Sequence, residues 1–261
     1  MDNTPIDILR KRIRQIERRD HTDHAHLRLE TGHDPIDHHL NGGLAGGALH
    51  EFLIASPLER GSTLAFLLPC LARSDRPVFW LSTRPSRLFG AGLDTVGIAR
   101  RRLFCLELVP DRLLPVAEDI LRCAEPMILV VETDRALTLT EARRLNLSAE
   151  ATGATGFILR QTKSGAIAAH EACACATRWQ ITAQPSRPLP LPGLALPLPG
   201  PRRLAADLLK LRAGLPKRWI LDCPDHEPLP RSLDAFLLDR ATAPREQRAL
   251  SSLAQAGAAR H

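Results

Sequence analysis

The sequence predicts an α/β protein whose core is a mostly parallel sheet with helices on both faces. Two observations carry this. Short runs without a polar face recur between residues 48 and 161, as in strands buried on both sides of a parallel sheet. Stretches of helical periodicity separate most of them, which is the alternation of a layered α/β core. Length sets the scale: 261 residues, 44% of them hydrophobic and 25% charged, suffice for one large domain with appendages.

In chain order, residues 1–20 form the first element. Ile6, Leu9, Ile13 and Ile16 recur at spacings of three and four, with basic residues between them. That is an amphipathic helix whose apolar stripe docks on its own core or on a partner. Residues 21–50 are rich in histidine, but the spacings are irregular, so loop and surface histidines are expected and no metal centre. ALHEFLIA then reads as a buried strand, followed by a loop containing Gly61 and a helix over 62–73. PVFWLST (77–83), RLFCLEL (102–108), MILVVET (127–133) and TGFILRQ (155–161) are the next strands. Helices are expected at 113–124 and at 139–153, the second ending on a glycine. TRWQITAQ (177–184) alternates like an antiparallel strand.

Residues 185–201 hold seven prolines and read as a stiff surface loop. Residues 202–225 look like a closing β-hairpin across Ala213-Gly214-Leu215-Pro216, and 226–261 like a mobile tail. The organisation expected is therefore an N-terminal helix (1–20), a core (21–184), the Pro-rich loop (185–201), an antiparallel extension (202–225) and the tail.

Charge and cysteine usage bound the function. A net charge of +6 is compatible with nucleic-acid contact, and Arg160, Lys163 and Arg178 are the candidates to meet phosphates. Aromatic residues make up only 4% and tyrosine is absent, which argues against base stacking. Cys70, Cys105, Cys123, Cys173, Cys175 and Cys223 are scattered, and Cys173-Ala-Cys175 is too tight for a normal zinc pair, so reduced thiols in a cytoplasm are expected. No apolar run reaches the ~18–20 residues of a membrane span, and the N-terminus lacks the apolar stretch of a secretory signal.

The stretch EFLIASPLERGSTLAF holds the chemistry. It has the frame of the phosphate-binding loop G-x-x-x-x-G-K-[ST], in which backbone amides cradle phosphate and a lysine neutralises it. Ser56 stands at the first glycine, Gly61 matches the second, Ser62 replaces the lysine and Thr63 keeps the metal-side hydroxyl.

TGHDPIDHHLNGGLAGGALHEF, through Thr31, Gly32, Ile36, Asp37, Gly42, Gly43, Leu44 and Gly47, resembles the start of a RecA-type core. The strands that follow keep a similar order. Within that superfamily GALHEF and RLAADLLKLRAGLPKRWILDC resemble the ImuA family. The resemblance implies a RecA-like P-loop core with an N-terminal helix and a C-terminal antiparallel extension. It places Thr83 where an activating glutamate would sit, Glu132 at the metal-side acid and Gln161 at the residue coupling nucleotide to DNA. Arg60 could supply a displaced positive charge. With Ser62 and Thr83 in those places no catalytic residue is assigned and hydrolysis is not expected. Residual ATP and magnesium binding through Gly61, Thr63 and the helix N-terminus stays open.

The function implied is a non-catalytic adaptor in SOS-induced translesion synthesis, cytoplasmic and nucleoid-associated during damage. Its partners would be an ImuB-type protein and an error-prone DnaE-type polymerase, with RecA as a further candidate and DNA contacted mainly indirectly. The rivals are an active ATPase on single-stranded DNA and a SulA-like division inhibitor.

Overall fold

The computed structural model describes residues 27–223 except 86, 87, 89, 164–170 and 189–199. The helix read over 1–20 with Ile6, Leu9, Ile13 and Ile16, most of the Pro-rich segment and the tail lie outside the described residues. The chain separates into two units, Met1–Cys223 and Pro224–His261, and every described residue belongs to the first.

The described chain starts with a small ribbon of β1 (Arg28–Leu29) and β2 (Leu44–Ala45), with α1 (Asp34–His39) between them. The Thr31-Gly32 turn before α1 is fixed by Asp37, whose carboxylate accepts from the amides of Thr31 (2.8 Å) and Gly32 (3.1 Å). Gly32 sits at φ +81°, and a Cβ there would meet the Arg73 guanidinium. The T-G…D pattern thus makes a turn.

β3 (Ala48–Ile54) follows, with all seven residues buried. It leads into α2 (Pro57–Ala72), β4 (Val78–Ser82), the short α3 (Gly90–Thr95) and β5 (Leu103–Glu107). Next come α4 (Pro110–Leu121), β6 (Ile128–Thr133), α5 (Leu139–Thr152) and β7 (Thr155–Gln161). β8 (Thr177–Gln184), β9 (Arg202–Leu211) and β10 (Lys217–Cys223) complete the described chain. One eight-stranded sheet results, in the order β10-β9-β8-β3-β7-β6-β4-β5. From β8 to β5 all neighbours are parallel; β9 runs antiparallel to both β8 and β10.

Side chains alternate across the strands and feed two separate cores. Phe52, Val130, Leu159 and Trp179 pack under Phe66, Leu67 and Leu71 of α2. On the other face Leu49, Val131 and Ile158 pack under Leu113 and Ala117 of α4 and Leu145 and Ala149 of α5. This is the α/β layering that the apolar runs predict.

Several elements match their sequence signals closely. α5 opens on a capping box of Thr138 and Glu141 and closes on Gly153 at φ +76°. The hairpin of β9 and β10 pairs as expected, with Ala213 at φ +59° in its turn. β8 differs. It pairs antiparallel with β9 but parallel with β3, because insertion between them gives it one neighbour of each direction. The sequence predicts no elements at α1, α3, β1 or β2, which are too short for a periodic signal.

Candidate functional site

Parallel strands present their carboxyl ends along one edge of the sheet, where α/β folds place their sites. A cleft of about 260 Å³ opens there at the ends of β3, β4, β6 and β7. Ser56, Arg60, Thr83, Glu132 and Gln161 line it; Gly61, Ser62 and Thr63 do not.

The reason lies in how β3 joins α2. Only Ala55 and Ser56 separate them, so the helix begins at Pro57, not at residue 62, and no loop extends to Gly61. Ser56 is the N-cap, its hydroxyl accepting from the Glu59 amide (3.2 Å), and Pro57 occupies the first turn, where its missing N–H costs nothing. The string Ser-Pro-x-Glu is a helix-start signal in its own right, and it overrides the loop that Gly61 suggests. Gly61 is therefore a helical residue whose Cβ position faces open space. Ser62 turns its hydroxyl to the Leu58 carbonyl (3.2 Å), and Thr63 is fully buried with its hydroxyl unpaired among the described residues.

The start of α2 also holds its own anion. A Glu59 carboxylate oxygen accepts from the Ala55 amide (2.8 Å) and the Gln180 side chain (3.4 Å). Negative charge is favourable there, since the helix dipole leaves its N-terminus positive. Deeper in the cleft Arg60 reaches across to Glu132 in a two-point contact, Nε at 3.1 Å and Nη2 at 2.7 Å. Its charge does not point back toward residues 55–56, as a displaced phosphate ligand would need. The Trp80 indole donates to the same carboxylate (2.8 Å). Arg60 and Glu132 are only 17% and 12% exposed, so the pair is poorly screened. At the rim Arg84 pairs with Asp134 (3.2 Å), both well exposed.

Neither Arg160 nor Arg178 is placed to meet phosphates. Glu51 of β3 faces Arg178 of β8 in register and accepts from its Nε at 2.6 Å, while Arg160 of β7 lies 3.6 Å away and also contacts Glu171 (2.5 Å). Both guanidinium groups are buried, at 8% and 2% exposure, because an acid inside the sheet requires partners there. Lys163 alone of the three is exposed. Sequence reasoning missed this ion cluster, and Cys173 and Cys175 gathered beside Glu51. No spacing rule links residues so far apart.

His50 likewise lies inside β3, not on a loop. Burial pushes its imidazole down to about 4, so the ring is neutral. Nε2–H donates to the Ala45 carbonyl (2.9 Å), and Nδ1 accepts from the Thr177 hydroxyl (2.8 Å). No helix among the described residues is long and apolar enough to cross a membrane.

No protein-family model matches the chain. Protein ImuA of Caulobacter vibrioides, in each of two strains, is 32% identical over 219 residues, covering 78% of this chain and 87% of that protein. Identity at that level across most of both chains places the chain in the ImuA family.

Proposed function

We propose that this chain is a non-catalytic, RecA-like adaptor in SOS-induced damage tolerance. It would bridge an ImuB-type protein and an error-prone DnaE-type polymerase during translesion synthesis, in the cytoplasm and at the nucleoid. The observation that carries the proposal is the start of α2. A helix beginning two residues after β3, with the Glu59 carboxylate at its N-terminus, leaves no loop of free amides for phosphate. Glu132 is engaged by Arg60 and Trp80, which disfavours a metal ion on the same carboxylate. The RecA-like part of the proposal is supported by the parallel strands and by a cleft at the edge where a nucleotide would sit in such a core. Fold alone does not decide function, so the site carries the weight.

The test is a calorimetric titration with Mg-ATP, run beside capture of the two partner proteins. We expect no binding heat from the nucleotide, and capture that disappears when residues 1–20 and 226–261 are both deleted. Micromolar Mg-ATP binding would make nucleotide-gated assembly the leading reading, and DNA-stimulated phosphate release lost in Glu132→Gln would replace the adaptor with the ATPase. Filamentation of undamaged cells on overexpression would favour the division inhibitor.

A further inference from the structure

On the face covered by α4 and α5, the segment before β8 brings Cys173 and Cys175 against Glu51 of β3. Both sulfurs and a carboxylate oxygen lie within 4.8 Å of one another. Three such atoms could suit a metal ion, but the surroundings oppose a cation. Arg178 holds Glu51 at 2.6 Å, Arg160 stands at 3.6 Å, and the Lys210 ammonium donates to the Cys173 carbonyl. For a thiolate at Cys173, Arg178 is favourable and Glu51 more strongly unfavourable, so the hydrogen bonds to its sulfur decide.

The two sulfurs are not equivalent. Cys175 is 1% exposed and belongs to the apolar core, while Cys173 is half-buried at its margin. The Cys175 amide donates to the Cys173 sulfur over 3.2 Å. A hydrogen bond from the Cys175 thiol, above all, holds Cys173 below the ordinary thiol range, against the effects of burial and Glu51. The same bond, with burial, pushes Cys175 up.

We propose that Cys173 and Cys175 form a redox-active dithiol that consumes a hydroperoxide and closes to an intrachain disulfide. The Cys173 thiolate attacks the distal oxygen of the peroxide; the O–O bond breaks and hydroxide leaves, taking the thiol proton as water. The sulfenic acid formed at Cys173 is then attacked by the Cys175 sulfur. The S–S bond forms, the S–O bond breaks, and the departing hydroxide takes the Cys175 proton. Overall the dithiol gives up two electrons and two protons, and hydrogen peroxide becomes two waters. Cys173 is the attacking sulfur because it is the accessible one and the one whose anion is hydrogen-bonded. Cys175 resolves because it is adjacent and shielded from the oxidant.

The test uses the full-length reduced protein treated with one equivalent of hydrogen peroxide, blocked, digested and mapped by mass. We expect a Cys173–Cys175 linked peptide, lighter by two hydrogens and restored by dithiothreitol. Cys175→Ser should stop at a Cys173 sulfenic acid that dimedone traps. Cys105, exposed on β5, is the internal standard. Oxidation reaching Cys105 before Cys173, or only intermolecular bridges, would overturn the proposal. So would zinc that shields both thiols from alkylation while peroxide yields no bridge. If the serine variant fails to fold, the wild-type protein still decides: iodoacetamide at neutral pH should label Cys173 faster than Cys105, and the reverse order refutes the assignment.

Discussion

Glu132, read from the sequence as a metal-side acid, has the contacts of a structural one. Arg60 satisfies both its oxygens, Trp80 adds a third donor, and the group is largely shielded from water. Glu132→Ala would strand the Arg60 guanidinium in the cleft, costing about 2–4 kcal/mol, near what removal of one member of a buried pair costs. Urea titration should show the loss as a lower midpoint, and a Glu132→Ala/Arg60→Met double variant should recover part of it. A loss below about 0.5 kcal/mol would mean that the pair behaves as an exposed one. His50 offers a second residue-scale check. The folded chain refuses a proton until about pH 4, whereas an unfolded histidine accepts one near 6.5. Unfolding therefore takes up a proton between those values, and stability falls as the pH drops through that window, by up to ~1.4 kcal/mol per pH unit. Above 6.5 the contribution is fully present. Denaturation series at several pH values should show this slope in the native protein and its reduction in His50→Gln.

At the scale of elements, the decisive feature is where α2 begins. A glycine of a phosphate loop tolerates no side chain, because ligand and backbone meet there. Gly61 instead lies in the first turns of a helix with open space at its Cβ. Gly61→Ala should therefore stabilise the protein by about 0.5–1 kcal/mol, the usual gain in a helix interior, and scanning calorimetry should show a higher Tm. A drop in Tm would restore the loop. The strands were readable because each apolar run is closed by charged or turn residues, and β7 matches TGFILRQ residue for residue. The start of α2 is also present in the sequence, as Ser56-Pro57-Leu58-Glu59, but it overlaps the apparent spacing of a phosphate loop, and the two signals predict different helix starts. What no local pattern could show is pairing between distant residues. Arg60 with Glu132, and Glu51 with Arg160 and Arg178, become neighbours only through the order of strands.

For the whole molecule, the same order explains why a basic chain does not offer all its charge to solvent. Arg160 and Arg178 lie inside the sheet, neutralising an acid that β3 carries into the interior. Composition counted those charges toward a nucleic-acid surface; their burial removes them from it. The central place of β3 also bears on biosynthesis. Its two neighbours, β7 and β8, begin at residues 155 and 177, more than a hundred residues further along the chain. A ribosome adding roughly 5–20 residues per second would expose this fully buried strand for on the order of 5–20 s before either partner exists. During that interval helices alone can cover its faces, α2 first on one side and α5 only after residue 152 on the other, so the nascent chain passes through a sticky half-built stage in which a chaperone would find its most attractive target.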